Sequence, residues 1–63
     1  MDNELLVKSI KAACSKRNLT VAQLEKILEY SPSLISRWKK TSPSLDKIVE
    51  IADYLNISID ELI

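Results

Sequence analysis

The sequence has no glycine, no histidine and only one cysteine in 63 residues. Without glycine, the chain cannot form a glycine-rich loop around a phosphate group. Without histidine, it lacks the commonest general base near neutral pH and the Cys/His sets that bind zinc. The lone Cys14 cannot close an intramolecular disulfide. We therefore expect neither an enzyme nor a cofactor or metal site, and we expect packing alone to hold the fold.

Long apolar runs are also missing. The longest strongly apolar run is Leu5-Leu6-Val7, far below the roughly 20 residues that a membrane-spanning helix needs. Asp2 and Glu4 remove the basic start of a secretory signal. The fractions of apolar (46%) and charged (29%) residues are typical of a soluble globular protein. The sequence predicts a cytoplasmic protein with a single domain, residues 1–63.

Positive and negative charges balance overall but are unevenly distributed. Nine basic and nine acidic residues give no net charge, which argues against strong, indiscriminate binding to nucleic acid. Residues 48–63 contain four acidic residues and no basic one. Residues 31–47, in contrast, have four basic residues and one acidic residue: Arg37, Lys39, Lys40, Lys47 and Asp46. One basic segment therefore precedes an acidic tail.

Two rows of carboxylates have helical spacing and are candidates for metal binding or proton transfer. They are Glu25 with Glu29, and Asp46 with Glu50 and Asp53. No set of other convergent polar residues accompanies either row. We interpret both rows as solvated helix faces.

Apolar residues at spacings of three and four predict an all-α fold of five short helices. Asp2 or Asn3 caps a first helix over 3–17, and Asn18 ends it in a left-handed conformation. Thr20 and Gln23 form a capping box for a second helix that ends near residue 28. The expected core residues of these helices are Leu6, Ile10, Ala13, Cys14, Val21, Leu24 and Leu28.

The second half of the chain predicts three more helices. Ser31 caps the third helix, over 32–40, with Pro32 at its first position. Ser44 caps the fourth helix, which Asn56 ends. Ser58 and Glu61 form a further capping box for a last turn. The expected core residues are Ile35, Trp38, Leu45, Ile48, Val49, Ala52, Leu55 and either Ile59 or Leu62.

The second and third helices, about residues 20–40, have the geometry of a helix-turn-helix. A longer pattern surrounds them: Leu19-Thr20, Leu24, Ser31 to Ser33, Ile35-Ser36-Arg37-Trp38, Pro43-Ser44-Leu45, Ile51-Ala52, Leu55, Ser58 and Glu61-Leu62. With this pattern the chain resembles the lambda repressor and Cro family, also called the XRE family, of bacterial and phage DNA-binding regulators. The resemblance covers essentially the whole chain.

The resemblance implies that the third helix lies in the major groove of DNA. The implied base contacts are Pro32, Ser33, Ser36 and Arg37, and the implied phosphate contacts are Thr20, Ser31, Lys40 and Lys47. The arginine suits this role, because its planar guanidinium can donate two hydrogen bonds to guanine. Backbone N–H groups at the starts of the second and third helices are further candidates for binding phosphate.

The chain departs from the family pattern at several positions. Val21 stands where glutamine is usual, Glu25 where a small residue is usual, and Glu29 where glycine is common. We expect the Glu25 side chain to bend outward or to find a partner. Cys14 and Lys39 together replace a frequent Arg–Glu ion pair, which indicates an apolar substitute for that pair.

Two functions remain open. The first is a sequence-specific regulator, in the role of a repressor, that binds double-stranded DNA as a homodimer through Ile57, Ile59, Leu62 and Ile63. The second is a protein-interaction module on the same fold that no longer reads DNA. The basic cluster favours the first function, whereas the zero net charge and the substitutions at Val21, Glu25 and Glu29 favour the second.

Overall fold

The computed structural model describes residues 3–62. In this range the protein has four α-helices, one short 3₁₀ turn and no strand: α1 (Asn3–Ser15), α2 (Val21–Ile27), α3 (Leu34–Arg37), α4 (Leu45–Leu55) and the turn Ile59–Glu61. The predicted all-α class is confirmed. The fifth predicted helix is only the 3₁₀ turn, and Asp2, one of the two proposed caps of α1, lies outside the described residues.

Three helices end in the same way without glycine. Asn18, Glu29 and Asn56 each adopt a left-handed conformation, with φ of 55°, 60° and 56°. At each end, two N–H groups bond back to carbonyls of the last helical turn, for example Tyr30 N–H to Glu25 O at 2.8 Å and Glu29 N–H to Lys26 O at 3.2 Å. This pattern is the Schellman motif. The predicted ends at Asn18 and Asn56 are therefore confirmed, although α1 itself stops at Ser15 and residues 16–18 form a turn.

The predicted helix starts are only partly correct. At α2, Thr20 Oγ1 accepts from Gln23 N–H at 3.1 Å, and Gln23 Oε1 accepts from Thr20 N–H at 2.9 Å, so the capping box is confirmed. Ser44 and Ser58 occupy N-cap positions, but neither side chain makes a capping hydrogen bond. The predicted capping box of Ser58 and Glu61 is wrong, because the Glu61 N–H donates instead to the Ser58 carbonyl at 3.1 Å.

The third helix is shorter than predicted. Ser33 has φ of 65° and is the N-cap of α3, so Pro32 lies before the helix and Ser31 does not cap it. The left-handed Ser33 stops the helix from starting earlier. After Arg37, the chain continues as tight turns, in which the N–H groups of residues 38–40 each donate to the carbonyl three residues back.

One hydrophobic core joins all the elements. Its buried residues are Leu6, Val7, Ile10, Ala13, Cys14, Leu24, Ile35, Trp38, Ile48, Ile51, Ala52, Leu55 and Leu62. Trp38, at 3% exposed, is confirmed as a core residue. Leu45 is 66% exposed and was wrongly predicted to be buried. As the first residue of α4, it has a Cβ that points back toward the helix start. The sequence pattern also missed Val7 and Ile51.

The remaining core expectations are met in part. Val21 and Leu28 are partly buried and pack against the core, as does Ile59. Val49 is of intermediate exposure. Of the two candidates for burial in the last turn, Leu62 is the one enclosed. None of the helices within residues 3–62 has the length and apolar character to cross a membrane.

Candidate nucleic-acid interface

The helices α2 and α3 are joined by a short turn that contains two left-handed residues. Glu29 ends α2 and Ser33 begins α3. Between them, Tyr30 is half-buried, whereas Ser31 and Pro32 are exposed. Glu29, which stands where the family commonly has glycine, adopts a left-handed conformation, and its backbone carries strain because it has a Cβ.

The Glu25 side chain holds the start of α3. It is 5% exposed, so its interpretation as part of a solvated helix face is wrong. Its Oε1 accepts from the Ser33 N–H at 3.2 Å, and its Oε2 accepts from the Ile35 N–H at 2.8 Å. The expectation that Glu25 finds a partner is met by the backbone of α3. These two N–H groups are thus already bonded within the protein, which removes them as phosphate-binding groups.

The outer surface of α3 and its preceding turn presents the predicted base-contact residues. Pro32, Ser33, Ser36 and Arg37 are all exposed, whereas Ile35 and Trp38 on the other side are buried. Spacings of three and four residues place Ser33, Ser36 and Arg37 on one helical face. The Arg37 Nη2 donates to the Pro32 carbonyl at 3.4 Å. The structure therefore places these four residues on the exposed side of the segment 32–37.

Comparison with known proteins identifies the family to which this arrangement belongs. Residues 10–62 match the family model described as Helix-turn-helix. The chain belongs to the helix-turn-helix family of the lambda repressor and XRE type. No curated protein and no solved structure matches the chain. Because this family consists of DNA-binding regulators, the unit formed by α2, the turn and α3 is a DNA-binding helix-turn-helix.

The predicted phosphate contacts of this helix-turn-helix lie on several elements. Thr20, Ser31 and Lys40 are exposed, and Lys47, in the first turn of α4, is of intermediate exposure. The Thr20 hydroxyl oxygen accepts within the capping box, which leaves its own hydrogen to donate. Lys47 Nζ lies 4.6 Å from the centroid of the Tyr30 ring. The Lys47 ammonium is thereby held next to the turn.

Tyr30 links the turn of the helix-turn-helix to α4. Its hydroxyl donates a hydrogen bond to Glu50 Oε1. Its ring meets the Trp38 ring edge to face, with centroids 6.4 Å apart. Burial, the hydrogen bond to Glu50 and the charge of Glu50 raise the pKa of Tyr30 well above its ordinary value. Tyr30 therefore serves in packing, and its hydroxyl hydrogen is already donated to Glu50.

Cys14 and Lys39 stand at the two positions of the ion pair that is frequent in the family. The predicted apolar substitute is present at Cys14 only. Cys14 is 1% exposed within the core that also contains Ile35 and Trp38. Burial raises the pKa of the Cys14 thiol, and the positive charge of Arg17 opposes this shift. Lys39 is exposed. An apolar contact at Cys14 therefore stands in for one partner of the pair, while Lys39 faces solvent.

The predicted dimerisation residues have different exposures. Leu62 is 1% exposed in the core of a single chain, so its side chain cannot lie at a dimer surface and its inclusion in the set was wrong. Ile57 and Ile59 are partly buried against the core. Ile63 lies outside the described residues. Within residues 3–62, no three His, Cys, Asp or Glu side chains form a group that could hold a metal ion.

Proposed function

We propose that this helix-turn-helix protein is a cytoplasmic transcriptional repressor that binds a two-fold DNA operator as a homodimer. The exposed surface of α3 enters the major groove in each half-site. The observation that carries the proposal is the division of α3 into two faces. Ile35 and Trp38 fix one face in the core, and Ser33, Ser36 and Arg37 are exposed on the other.

Arg37 is the main base reader in this proposal. Its hydrogen bond to Pro32 O is long, at 3.4 Å, and solvent-exposed. The guanidinium has five N–H donors, so it can turn toward the O6 and N7 atoms of a guanine at little cost. Ser33 and Ser36 both donate and accept, and they add weaker discrimination. Pro32 offers apolar contact, for which a thymine methyl group is suitable.

Contacts to the DNA backbone hold α3 in place in this proposal. Lys40 lies three residues after the end of α3, and Lys47 is held beside the turn by the Tyr30 ring. The hydroxyls of Thr20 and Ser31 are exposed donors. The segment of residues 31–47, which contains these lysines, has four basic residues and one acidic residue, although the whole chain is neutral. Such a local excess of positive charge suits a limited number of phosphate contacts.

Two copies of the domain are needed for useful affinity, because one copy offers few phosphate contacts. Among residues 57–62, Ile57 and Ile59 are the apolar residues that remain partly exposed. A symmetric contact through them would place two α3 helices on the same side of the duplex. We propose a spacing of about 34 Å, one turn of DNA, between the two helices.

The interaction-module alternative is supported by fewer observations than the sequence alone indicated. Glu25 no longer counts toward it, because its carboxylate is buried and bonded to α3. Val21 is partly buried against the core, so packing explains it. The zero net charge and the exposed Glu29 still favour this alternative.

Selection of bound sequences from a random pool of DNA duplexes separates the two functions. We expect an inverted repeat in which each half-site contains a guanine. The preference for this guanine should depend on Arg37. An inverted repeat beside the coding region of the protein would also support self-regulation. If the folded protein selects no motif at low salt, the repressor proposal is wrong and the interaction module replaces it.

A further inference from the structure

Glu25 is an unusual residue at the centre of this helix-turn-helix. Among residues 3–62 it is the one polar or charged residue that is buried. Its two carboxylate oxygens accept hydrogen bonds from the N–H groups of Ser33 and Ile35, eight and ten positions further along the chain. Hydrogen bonds to an ionised acceptor are stronger than those between neutral groups. The side chain therefore forms a direct tie between α2 and the start of α3.

The start of α3 depends on such a tie. The helix has only four residues, too few to be stable by itself. Its N-cap, Ser33, makes no side-chain capping bond and adopts a left-handed conformation, which is unfavourable for a residue with a Cβ. A negative charge beside the first turn also complements the positive end of the helix. Glu25 thus supplies from α2 the cap that Ser33 does not supply.

The residues fixed by this tie are those proposed to read DNA. The N–H of Ser33 is itself bonded to Glu25, so that bond holds the backbone from which the Ser33 side chain projects. The Arg37 N–H donates to the Ser33 carbonyl at 3.2 Å, one turn later. A movement of Ser33 is therefore passed on to the backbone that carries Arg37.

We propose that Glu25 is a positioning residue that sets the base preference of this domain without touching DNA. This inference rests on the proposed function, because it assumes that the α3 surface reads base pairs. Its carboxylate fixes the angle at which Ser33 and Arg37 meet the groove. Its burial in the protein keeps the negative charge away from the DNA phosphates.

Three variants test this role. Glu25→Gln preserves the shape of the side chain but replaces one acceptor oxygen with an NH₂ group that faces backbone N–H donors. Glu25→Asp keeps the charge and both oxygens but shortens the side chain by one methylene. Glu29→Gln is the matched control, because it removes one negative charge from an exposed side chain at the end of the same helix.

Each variant is examined by sequence selection, by binding titrations on the selected and a scrambled duplex, and by amide hydrogen exchange at Ile35. For Glu25→Gln we expect the preference at the base pair read by Arg37 to fall about tenfold. We also expect the Ile35 amide to exchange about tenfold faster. Affinity for the scrambled duplex should not fall, because a negative charge has been removed. Glu29→Gln should keep the wild-type motif, and Glu25→Asp should show a smaller shift than Glu25→Gln.

A purely structural role gives a different result. If Glu25→Gln keeps the wild-type motif and loses affinity equally on both duplexes, in proportion to its unfolded fraction, the positioning role is wrong. If Glu25→Gln does not fold, Glu25→Asp decides, and a wild-type motif together with wild-type exchange at Ile35 would overturn the inference. If the wild-type protein itself selects no motif, the proposed function fails first. The wild-type control thus separates the two failures.

Discussion

The Lys47 ammonium lies 4.6 Å from the centroid of the Tyr30 ring, and the hydroxyl of the same Tyr30 donates to Glu50. Tyr30 thus holds two residues of α4, the positively charged Lys47 and the negatively charged Glu50, beside the turn that precedes α3. A cation over an aromatic face is attracted by the ring electrons. The turn and α4 are therefore coupled through a single side chain, and a change at any of the three residues affects the placement of the others.

Lys47→Ala should weaken binding to all duplexes nearly equally. In the proposed complex Lys47 reaches only the DNA backbone, so its loss removes one phosphate contact. The slope of log K against log salt should fall by about one unit. Titrations at several salt concentrations measure this slope. Lys47→Arg, which keeps the charge, should retain the wild-type slope. A loss confined to the selected duplex would contradict the assignment of Lys47 to phosphate.

Arg37→Ala should weaken binding to the selected duplex and not to the scrambled duplex. A bidentate contact to guanine distinguishes it from other bases, so we expect a loss of about 1 to 3 kcal/mol on the selected duplex. The preference at one base pair should disappear. Arg37→Lys is the matched control: it keeps the charge and thus the salt slope, but its ammonium lacks the rigid planar fork of the guanidinium. Unchanged binding by Arg37→Ala on both duplexes, with helix content intact, would support the interaction module.

Tyr30 should remain protonated at a pH where an ordinary tyrosine ionises. Because its pKa is raised in the folded state, its neutral form contributes stability that is fully present below about pH 10 and is lost as the pH rises through the folded pKa. An ultraviolet titration of tyrosinate in a Tyr54→Phe background measures Tyr30 alone. Adding Glu50→Gln should lower the midpoint toward the ordinary value. A midpoint of about 10 in the Tyr54→Phe protein would contradict the Tyr30–Glu50 hydrogen bond.

Cys14 should react slowly with thiol reagents in the native protein. Its side chain is 1% exposed, and burial raises the pKa of the thiol, so both access and the thiolate fraction are low. Labelling should accelerate in denaturant as the chain unfolds. Stoichiometric native labelling at the rate of the unfolded control would show that α1 does not pack as described.

Dimerisation should be weak and should depend on Ile57 and Ile59. Sedimentation at increasing concentration, with and without a palindromic duplex, measures it. Ile59→Gln should raise the dimer dissociation constant by about tenfold, since a partly exposed isoleucine would no longer be buried at the contact. Leu45→Gln is the control, because Leu45 is 66% exposed at the start of α4. A monomer under all these conditions would refute the dimer.

Much of the fold was predictable because its signals are local. The capping box of Thr20 needs only residues three apart in sequence, and Asn18 and Asn56 tolerate the left-handed conformation through their own side chains. Trp38 follows from its spacing to Ile35. The start of α3 was not predictable from local sequence. Ser33 adopts its conformation in a segment whose backbone is hydrogen-bonded to Glu25 of α2.

The candidate interface was predictable at its exposed residues and not at the contacts beneath them. The family resemblance implied Pro32, Ser33, Ser36 and Arg37 as base contacts, and all four are exposed. The bond between Glu25 and Ile35 spans ten residues, and that between Tyr30 and Glu50 spans twenty. Sequence spacing does not encode such contacts. Leu62 was predicted both as a candidate core residue and as a dimer contact, and its 1% exposure assigns it to the core.

The left-handed conformation at Asn18, Glu29, Ser33 and Asn56 has a consequence for chirality. A backbone with positive φ is the one that a D-amino acid prefers, because its Cβ points in the mirror-image direction. Residues 3–62 therefore contain four positions at which the backbone conformation is less favourable for the natural L-residue. Three of them end helices, and the fourth begins the helix proposed to read DNA. In a chemically synthesised protein, inverting the stereocentre at Ser33 alone would favour the observed start of α3 while leaving every side-chain formula unchanged.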